Sequence, residues 1–276
     1  MPTIAVATDF SPRADRAVDR AKLLQKQMGG KLLVIHATNL AADDPPDMDD
    51  LNRKMRLSSG LQPVAGEVKF LYPSGTPTKA IAISCDKQGV DMLCLGPARY
   101  NTLGDYFLGT AVDYILRSTT KPVLVVKLRA HTEYREIVAG TDFSPGSAHA
   151  ILTAARMFPE VKVHVVNAWQ VPFRAFNKDA YAADEVERDH NKKLAEFMAG
   201  LAEREGRLAD ATSEVIQGDA CDALRQAIAV NPDALVVVGS HGTSGFKQAT
   251  IGSVTSELLR YLDADTLVIN SADAEH

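Results

Sequence analysis

The stretch Gly239–Val254, GSHGTSGFKQATIGSV, directly follows the apolar run ALVVV. It sets Gly239, Gly242 and Gly252 among hydroxyl-bearing residues and closes on Gly252-Ser253-Val254. Glycine lets backbone N–H groups approach a ligand with no Cβ in the way. Gly252-Ser253 stands where a helical pattern begins, running through Val254, Leu258 and Leu259. A helix start favours phosphate through its free N–H groups and its dipole, and the Ser253 hydroxyl adds a donor. A second segment, Gly140-Thr141-Asp142-Phe143-Ser144, follows another apolar run. Asp142 would repel phosphate itself. It could accept a hydrogen bond from a sugar or base, or hold a divalent cation that bridges to phosphates. Open α/β sheets bind ligands beyond the carboxyl ends of their strands, where strand order reverses. If the two runs are neighbouring strands, both segments face one crevice, and the chemistry they offer is nucleotide binding. Glycine-rich turns also serve tight packing alone, so spacing leaves both readings open.

The elements that must position these residues are written twice. IAVATDFSP (Ile4–Pro12) recurs as IVAGTDFSP (Ile137–Pro145), with Asp9 and Asp142 lying 133 residues apart. DMLCLG (Asp91–Gly96) recurs as DALVVVG (Asp233–Gly239), and from Gly96 and Gly239 onward the offset is 143. The second copy therefore carries about ten extra residues between its first and fourth strands. A period of this length is a domain and not a solenoid repeat. The organisation expected is two homologous domains, residues 1–130 and 134–272.

In each copy short β-branched runs alternate with helical patterns. The runs are Ile4–Ala7, Lys31–His36, Glu67–Leu71, Met92–Leu95 and Val123–Val126, then Ile137–Gly140, Lys162–Val166, Thr212–Ile216, Leu235–Val238 and Thr266–Ile269. Strands buried on both faces of a parallel sheet read this way. Ser11-Pro12 and Ser144-Pro145 supply an N-cap oxygen and an N1 proline, and Gly29-Gly30 a helix stop. The alternation implies right-handed crossovers and an open α/β fold.

Composition sets limits. The 276-residue chain is 46% apolar with a net charge of -5, and no run reaches a membrane span. The acidic balance argues against nucleic acid as a partner. MPTIAVATDFS shows no basic region ahead of an apolar one, so the expected location is cytoplasmic, with no membrane partner. Cys85, Cys94 and Cys221 form no CxxC pair and read as buried structural thiols. AADDPPDMDD (Ala41–Asp50) reads as an acidic surface loop without the fixed ligand spacing of a calcium site.

Gly239-x2-Gly242-x9-Gly252-Ser253 matches the ATP-binding pattern of the universal stress protein family, G-x2-G-x9-G-(S/T). The TDFS turn and the terminal run Lys121–Val126 match it too. The chain thus resembles a tandem universal stress protein over nearly its whole length. The resemblance implies two homologous parallel five-stranded sheets of order 3-2-1-4-5 flanked by helices, similar to adenine nucleotide alpha hydrolases. It implies that Thr141 and Asp142 meet the adenosine, that Ala168 and Val238 line the base, and that Gly239, Gly242, Gly252, Ser253 and Val254 hold ribose and phosphates. The family usually has valine where Ala168 stands. The ligand implied is ATP, ADP or AMP, with Mg2+ as a candidate cation.

The first copy departs from the pattern: Arg99 replaces the second glycine. Thr8, Asp9, Ala37, Gly96, Arg99, Gly109 and Thr110 form a second candidate site. In it the arginine either grips a phosphate, fills the pocket or points to solvent. No catalytic residue is assigned, because His241 has no visible orienting partner. Slow ATP hydrolysis and a nucleotide-free interaction module stand as alternatives. Walker, GxGxxG, HxGH and SGGxDS signatures are absent. Family members dimerise through the last strand of each sheet, so the two copies could pair within one chain, and two chains could associate further.

Overall fold

The computed structural model describes residues 1–38, 47–97, 99–100, 106–107, 110–170, 180–240 and 251–270. The first half runs β1 (Thr3–Ala7), α1 (Pro12–Met28), β2 (Lys31–Ile35), α2 (Met48–Ser59), β3 (Val68–Leu71), α3 (Pro77–Lys87) and β4 (Met92–Leu95). A small hairpin of β5 (Arg99–Tyr100) and β6 (Tyr106–Phe107) follows, then α4 (Thr110–Ser118) and β7 (Val123–Val125). The second half comprises β8 (Glu136–Thr141), α5 (Pro145–Met157), β9 (Lys162–Trp169), α6 (Ala180–Arg204) and a 3-10 turn at Gly206–Asp210. It continues with β10 (Thr212–Gln217), α7 (Ala220–Ile228), β11 (Leu235–Gly239), α8 (Ser253–Tyr261) and β12 (Thr266–Ile269).

The helix signals act as expected. Ser11 accepts from the Ala14 N–H and Ser144 from the Ser147 N–H, each ahead of a proline in the first turn. Gly29 closes α1 at φ 65°, a left-handed conformation that costs glycine little. Two expectations change. β9 runs on to Trp169, because Asn167, Ala168 and Trp169 keep register with β10 up to the Gln217–Trp169 pair. The acidic stretch is not a loop throughout: Asp47 caps α2 by accepting from the Asp49 and Asp50 N–H groups, so its end is helical. Residues 39–46 lie outside the described residues.

Each half carries its parallel strands in the order 3-2-1-4-5. The two sheets are joined edge to edge into one ten-stranded sheet by antiparallel pairing of β7 with β12. Pairing the two apolar terminal strands removes two edges that would otherwise template aggregation. Because successive strand residues face opposite sides, Ile4 and Val6 belong to the core on the face covered by α1, α2, α5 and α6, while Ala5 belongs to the core on the face covered by α3, α4, α7 and α8. The extra length of the second half lies between β9 and β10, where α6 spans 25 residues against 12 in α2.

A buried polar cluster locks the seam. Asp265, fully buried, accepts from Arg20 Nε (3.1 Å), the Tyr134 hydroxyl (2.5 Å) and the backbone N–H groups of Lys127 (2.8 Å) and Leu128 (2.9 Å). The Arg20 guanidinium also lies 4.1 Å over the Tyr134 ring and donates to the Thr132 carbonyl. Burial, then Asp265, holds the Tyr134 phenol well above its usual value, so it stays a donor.

Lys127 is buried as well, and burial pushes its ammonium down from 10.5 to about 8 against the opposing pull of Asp263 and Asp265. Between about pH 8 and 10.5 the unfolded chain holds the Lys127 proton that the native protein has released. Stability from this group therefore rises with pH across that window. Urea unfolding of wild type and Lys127→Met should show the wild type gaining on the variant from neutral pH to about pH 10. All three cysteines are buried and free. Burial pushes the Cys85 thiol up to about 12 and raises those of Cys94 and Cys221. Among the described residues no helix is long and apolar enough to cross a membrane.

Candidate functional site

β8 and β11 are hydrogen-bonded neighbours, so the turns that follow them lie side by side at the carboxyl end of the sheet. In the turn after β8, Phe143 takes φ 63°, and its counterpart Phe10 in the first half takes φ 61°. A bulky residue in this region needs local support. Thr141 Oγ1 accepts from the Phe143 N–H (3.0 Å) and Asp142 Oδ1 from the Ser144 N–H (3.1 Å). Thr8 and Asp9 repeat both bonds, at 3.0 and 2.9 Å. Burial works to raise the Asp9 carboxyl, but its bonds with Ser11 outweigh that and hold it below its usual value. The first task of each aspartate is thus to shape its own turn.

Between the two turns of the second half lies a cavity of about 290 Å³. Eight of the nine residues expected at a nucleotide line it: Thr141, Asp142, Ala168, Val238, Gly239, Gly252, Ser253 and Val254. The ninth, Gly242, lies outside the described residues, as does His241. One end of the cavity is the start of α8. Gly252 is its N-cap, and among the described residues no side chain caps it, whereas Ser11, Ser144 and Asp219 cap α1, α5 and α7. α3 also lacks a side-chain cap. The bare start of α8 gains its meaning from the cavity it opens on. Thr255 Oγ1 donates to the Gly239 carbonyl (2.9 Å) and pins this first turn to the end of β11.

The sequence reading missed one wall. Ala220, Ala223 and Leu224 of α7 line the cavity opposite β9, and Ser147 of α5 borders it. Nothing marked them, because a small or apolar residue facing a cavity and one facing a core share the same helical periodicity. It also missed the support beneath Thr141. Asn167 Nδ2 donates to the Thr141 carbonyl (2.8 Å), and its Oδ1 meets His190 Nδ1 of α6 at 2.7 Å. Burial, then Lys193, lowers the His190 pKa. Trp169 is buried beside the His190 ring. In the first half His36 takes the place of Asn167, meeting the Thr8 carbonyl at 2.9 Å while stacking on Phe10.

The first-half positions are arranged differently. Thr8 is buried, Asp9 exposed and Ala37 half-buried. Arg99 does not sit in a tight turn: its backbone is extended and pairs with Phe107 in the β5–β6 hairpin. Thr110 begins α4, and Gly109 lies outside the described residues. A Cβ on Gly96 would come within 2.8 Å of the Arg13 carbonyl of α1. Packing alone therefore requires glycine there. Gly96→Ala should destabilise the protein by about 1–3 kcal/mol, read as an earlier urea midpoint.

The family model for the universal stress proteins matches residues 1–127 and again 133–270. The chain belongs to the universal stress protein family. It carries two tandem universal stress protein domains. It is 27% identical over 134 residues to a universal stress protein from the QAH/OAS sulfhydrylase 3' region of Thermus aquaticus, covering 45% of this chain and 98% of that relative. Among solved structures, a universal stress protein from Archaeoglobus fulgidus matches 97% of this chain and 98% of its own at TM-score 0.67 and 14% identity. One from Pseudomonas aeruginosa matches 98% and 93% at TM-score 0.66 and 17% identity. At these identities the structural matches speak for the tandem fold alone.

Proposed function

We propose that the second universal stress protein domain binds an adenine nucleotide, ATP foremost, and that the protein is a cytoplasmic, nucleotide-dependent regulator or protective factor in a stress response. The observation that carries this reading is the N-terminus of α8, without a side-chain cap among the described residues, opening on a cavity that β9, β11 and α7 line with apolar side chains and that Thr141 and Asp142 border. Ala168, Val238, Val166 and Leu224 suit the flat apolar faces of a purine. Gly252 and the Ser253 N–H and hydroxyl suit phosphate oxygens. Asp142 is the carboxylate among the described lining residues, and with phosphate oxygens and water it suits Mg2+.

The domains, 1–130 and 134–272, act in this reading as a dimer folded into one chain, with β7–β12 replacing the contact between subunits. The first domain supports the assembly. The test is extraction of adenine nucleotide from the purified protein, followed by calorimetric titration of ATP, ADP, AMP and cyclic AMP with and without Mg2+. One site per chain that prefers ATP bears the proposal out. Two sites would make Arg99 a phosphate ligand. Nucleotide-free protein that takes up none of the four would leave a pure interaction module. Release of phosphate from bound ATP would move the reading to a slow ATPase.

A further inference from the structure

The β7–β12 pairing runs about a local dyad: Leu124 faces Leu267, while Val123 and Val125 face Val268 and Thr266. Residues 143 apart hold equivalent places on the two sides of this seam. Just beyond the paired strands, the equivalence joins Lys127 with Asn270 and Leu262 with Thr119. Each of the first pair crosses the seam to the C-terminal end of the other domain's helix. Lys127 Nζ donates to the carbonyls of Leu258 (3.2 Å) and Leu262 (2.5 Å) at the end of α8. Asn270 Nδ2 donates to the Thr119 carbonyl (3.0 Å) just past α4. Carbonyls at a helix end lack intrahelical partners, so a donor from the other domain both satisfies them and fixes the helix in place.

The two sides then diverge. Ser240 directly follows β11 and is 2% exposed. Its hydroxyl donates to Asn270 Oδ1 (3.0 Å), and its carbonyl accepts the Gly252 N–H (2.9 Å). Gly252 is the N-cap of α8 and lines the cavity. A continuous hydrogen-bonded path therefore joins the start of α8, Ser240, Asn270 and the end of α4. The place of Ser240 in the first domain belongs to Pro97, which has neither a hydroxyl nor an N–H. Among the described residues the path is seen on the second-domain side, and Pro97 cannot supply the hydroxyl link that Ser240 makes.

We propose that Asn270 is a positioning residue for the Gly239 and Gly252 backbone, and that through it the first domain senses whether the second-domain cavity is filled. The sensing half of this rests on the nucleotide reading above. Coupling of this kind needs contiguous contacts and an element that both ends can bias. The planar Asn270 amide supplies the contact, because holding its oxygen toward Ser240 aims its N–H group at Thr119. α4 is the biased element. It begins at Thr110, the last residue of the altered first-domain motif, and β6, just before it, lies against α8.

Amide hydrogen exchange of the full chain tests this. In ligand-free protein, Asn270→Ala should speed exchange at the Gly252 amide about tenfold while α7 stays as in wild type. A merely structural role at the strand end would loosen the Thr119 turn and leave Gly252 unchanged, and that result overturns the proposal. Ser240→Ala should reproduce the Gly252 effect, and Ser240→Thr should restore protection. With ATP and Mg2+ bound, wild type should slow exchange over Ile115–Thr119, and Ser240→Ala should bind ATP without that slowing. ATP binding with α4 unmoved in wild type overturns the sensing claim. Failure of wild type to bind nucleotide, with the ligand-free effect intact, overturns the nucleotide reading and leaves Asn270 as the positioning residue.

Discussion

Ala168→Phe should abolish nucleotide binding in the second domain, weakening it about 100-fold or more, which is about 2.7 kcal/mol. Ala168 lies on β9 and lines the cavity between Val166 and the apolar face of α7. A phenyl ring there takes the volume proposed for the base. The neighbouring residue Asn167 remains in place to hold the Thr141 carbonyl, so the turn keeps its shape. Ala168→Val should act the other way. The valine usual in the family adds two methyl groups to the wall of a loosely filled slot. At about 0.8 kcal/mol per buried methylene, affinity should rise roughly fourfold if one methyl is buried and about fifteenfold if both are. Calorimetric titration of both variants, beside thermal melts that confirm folding, decides the matter. Equal affinities for wild type, Ala168→Phe and Ala168→Val would place the ligand elsewhere.

Asp265→Ala should cost about 3–5 kcal/mol of unfolding free energy, the range for breaking a buried ion pair from one side. Four donors converge on this carboxylate: Arg20, Tyr134 and the N–H groups of Lys127 and Leu128. Removing it strands the Arg20 charge, which is 2% exposed, against the Tyr134 ring and the Thr132 carbonyl. Arg20→Met in the same chain should recover part of the loss, because the stranded charge goes with it. Urea unfolding of the single and double variants measures both effects. A loss under about 1 kcal/mol for Asp265→Ala would mean that water replaces the carboxylate and that the seam stands on β7–β12 pairing and the Lys127 and Asn270 bonds across it. The cluster has no twin across the dyad, since Pro122 occupies the place equivalent to Asp265. The corresponding change on that side should be nearly silent.

Much of this protein was legible in its sequence because local rules wrote it. The duplication is visible in IAVATDFSP and IVAGTDFSP, and the strands in short β-branched runs. The caps of α1 and α5 lie in Ser11-Pro12 and Ser144-Pro145. These signals depend on neighbours within one turn or one pleat, so periodicity and capping chemistry reveal them. The same holds for Gly252-Ser253 at the start of α8. Where local signals competed, the reading slipped: two prolines in Ala41–Asp50 outweighed the cap that Asp47 supplies to α2.

Only the tertiary structure decided the rest. Arg20 meets Asp265 across 245 residues, and Asn270 meets Thr119 across 151. Hydrogen bonds between distant groups leave no period in the chain, so no window of sequence contains them. The α7 wall of the cavity was hidden for a related reason: Ala220, Ala223 and Leu224 keep the same spacing whether a core or a ligand lies against them. Arg99 shows the limit most plainly. Its identity marked the loss of a glycine, but that its backbone pairs with Phe107 followed from the fold of the whole hairpin. The sequence determined two copies of one α/β unit and the residues at one crevice. The packing of those copies decided which residues join them and what stands behind the crevice.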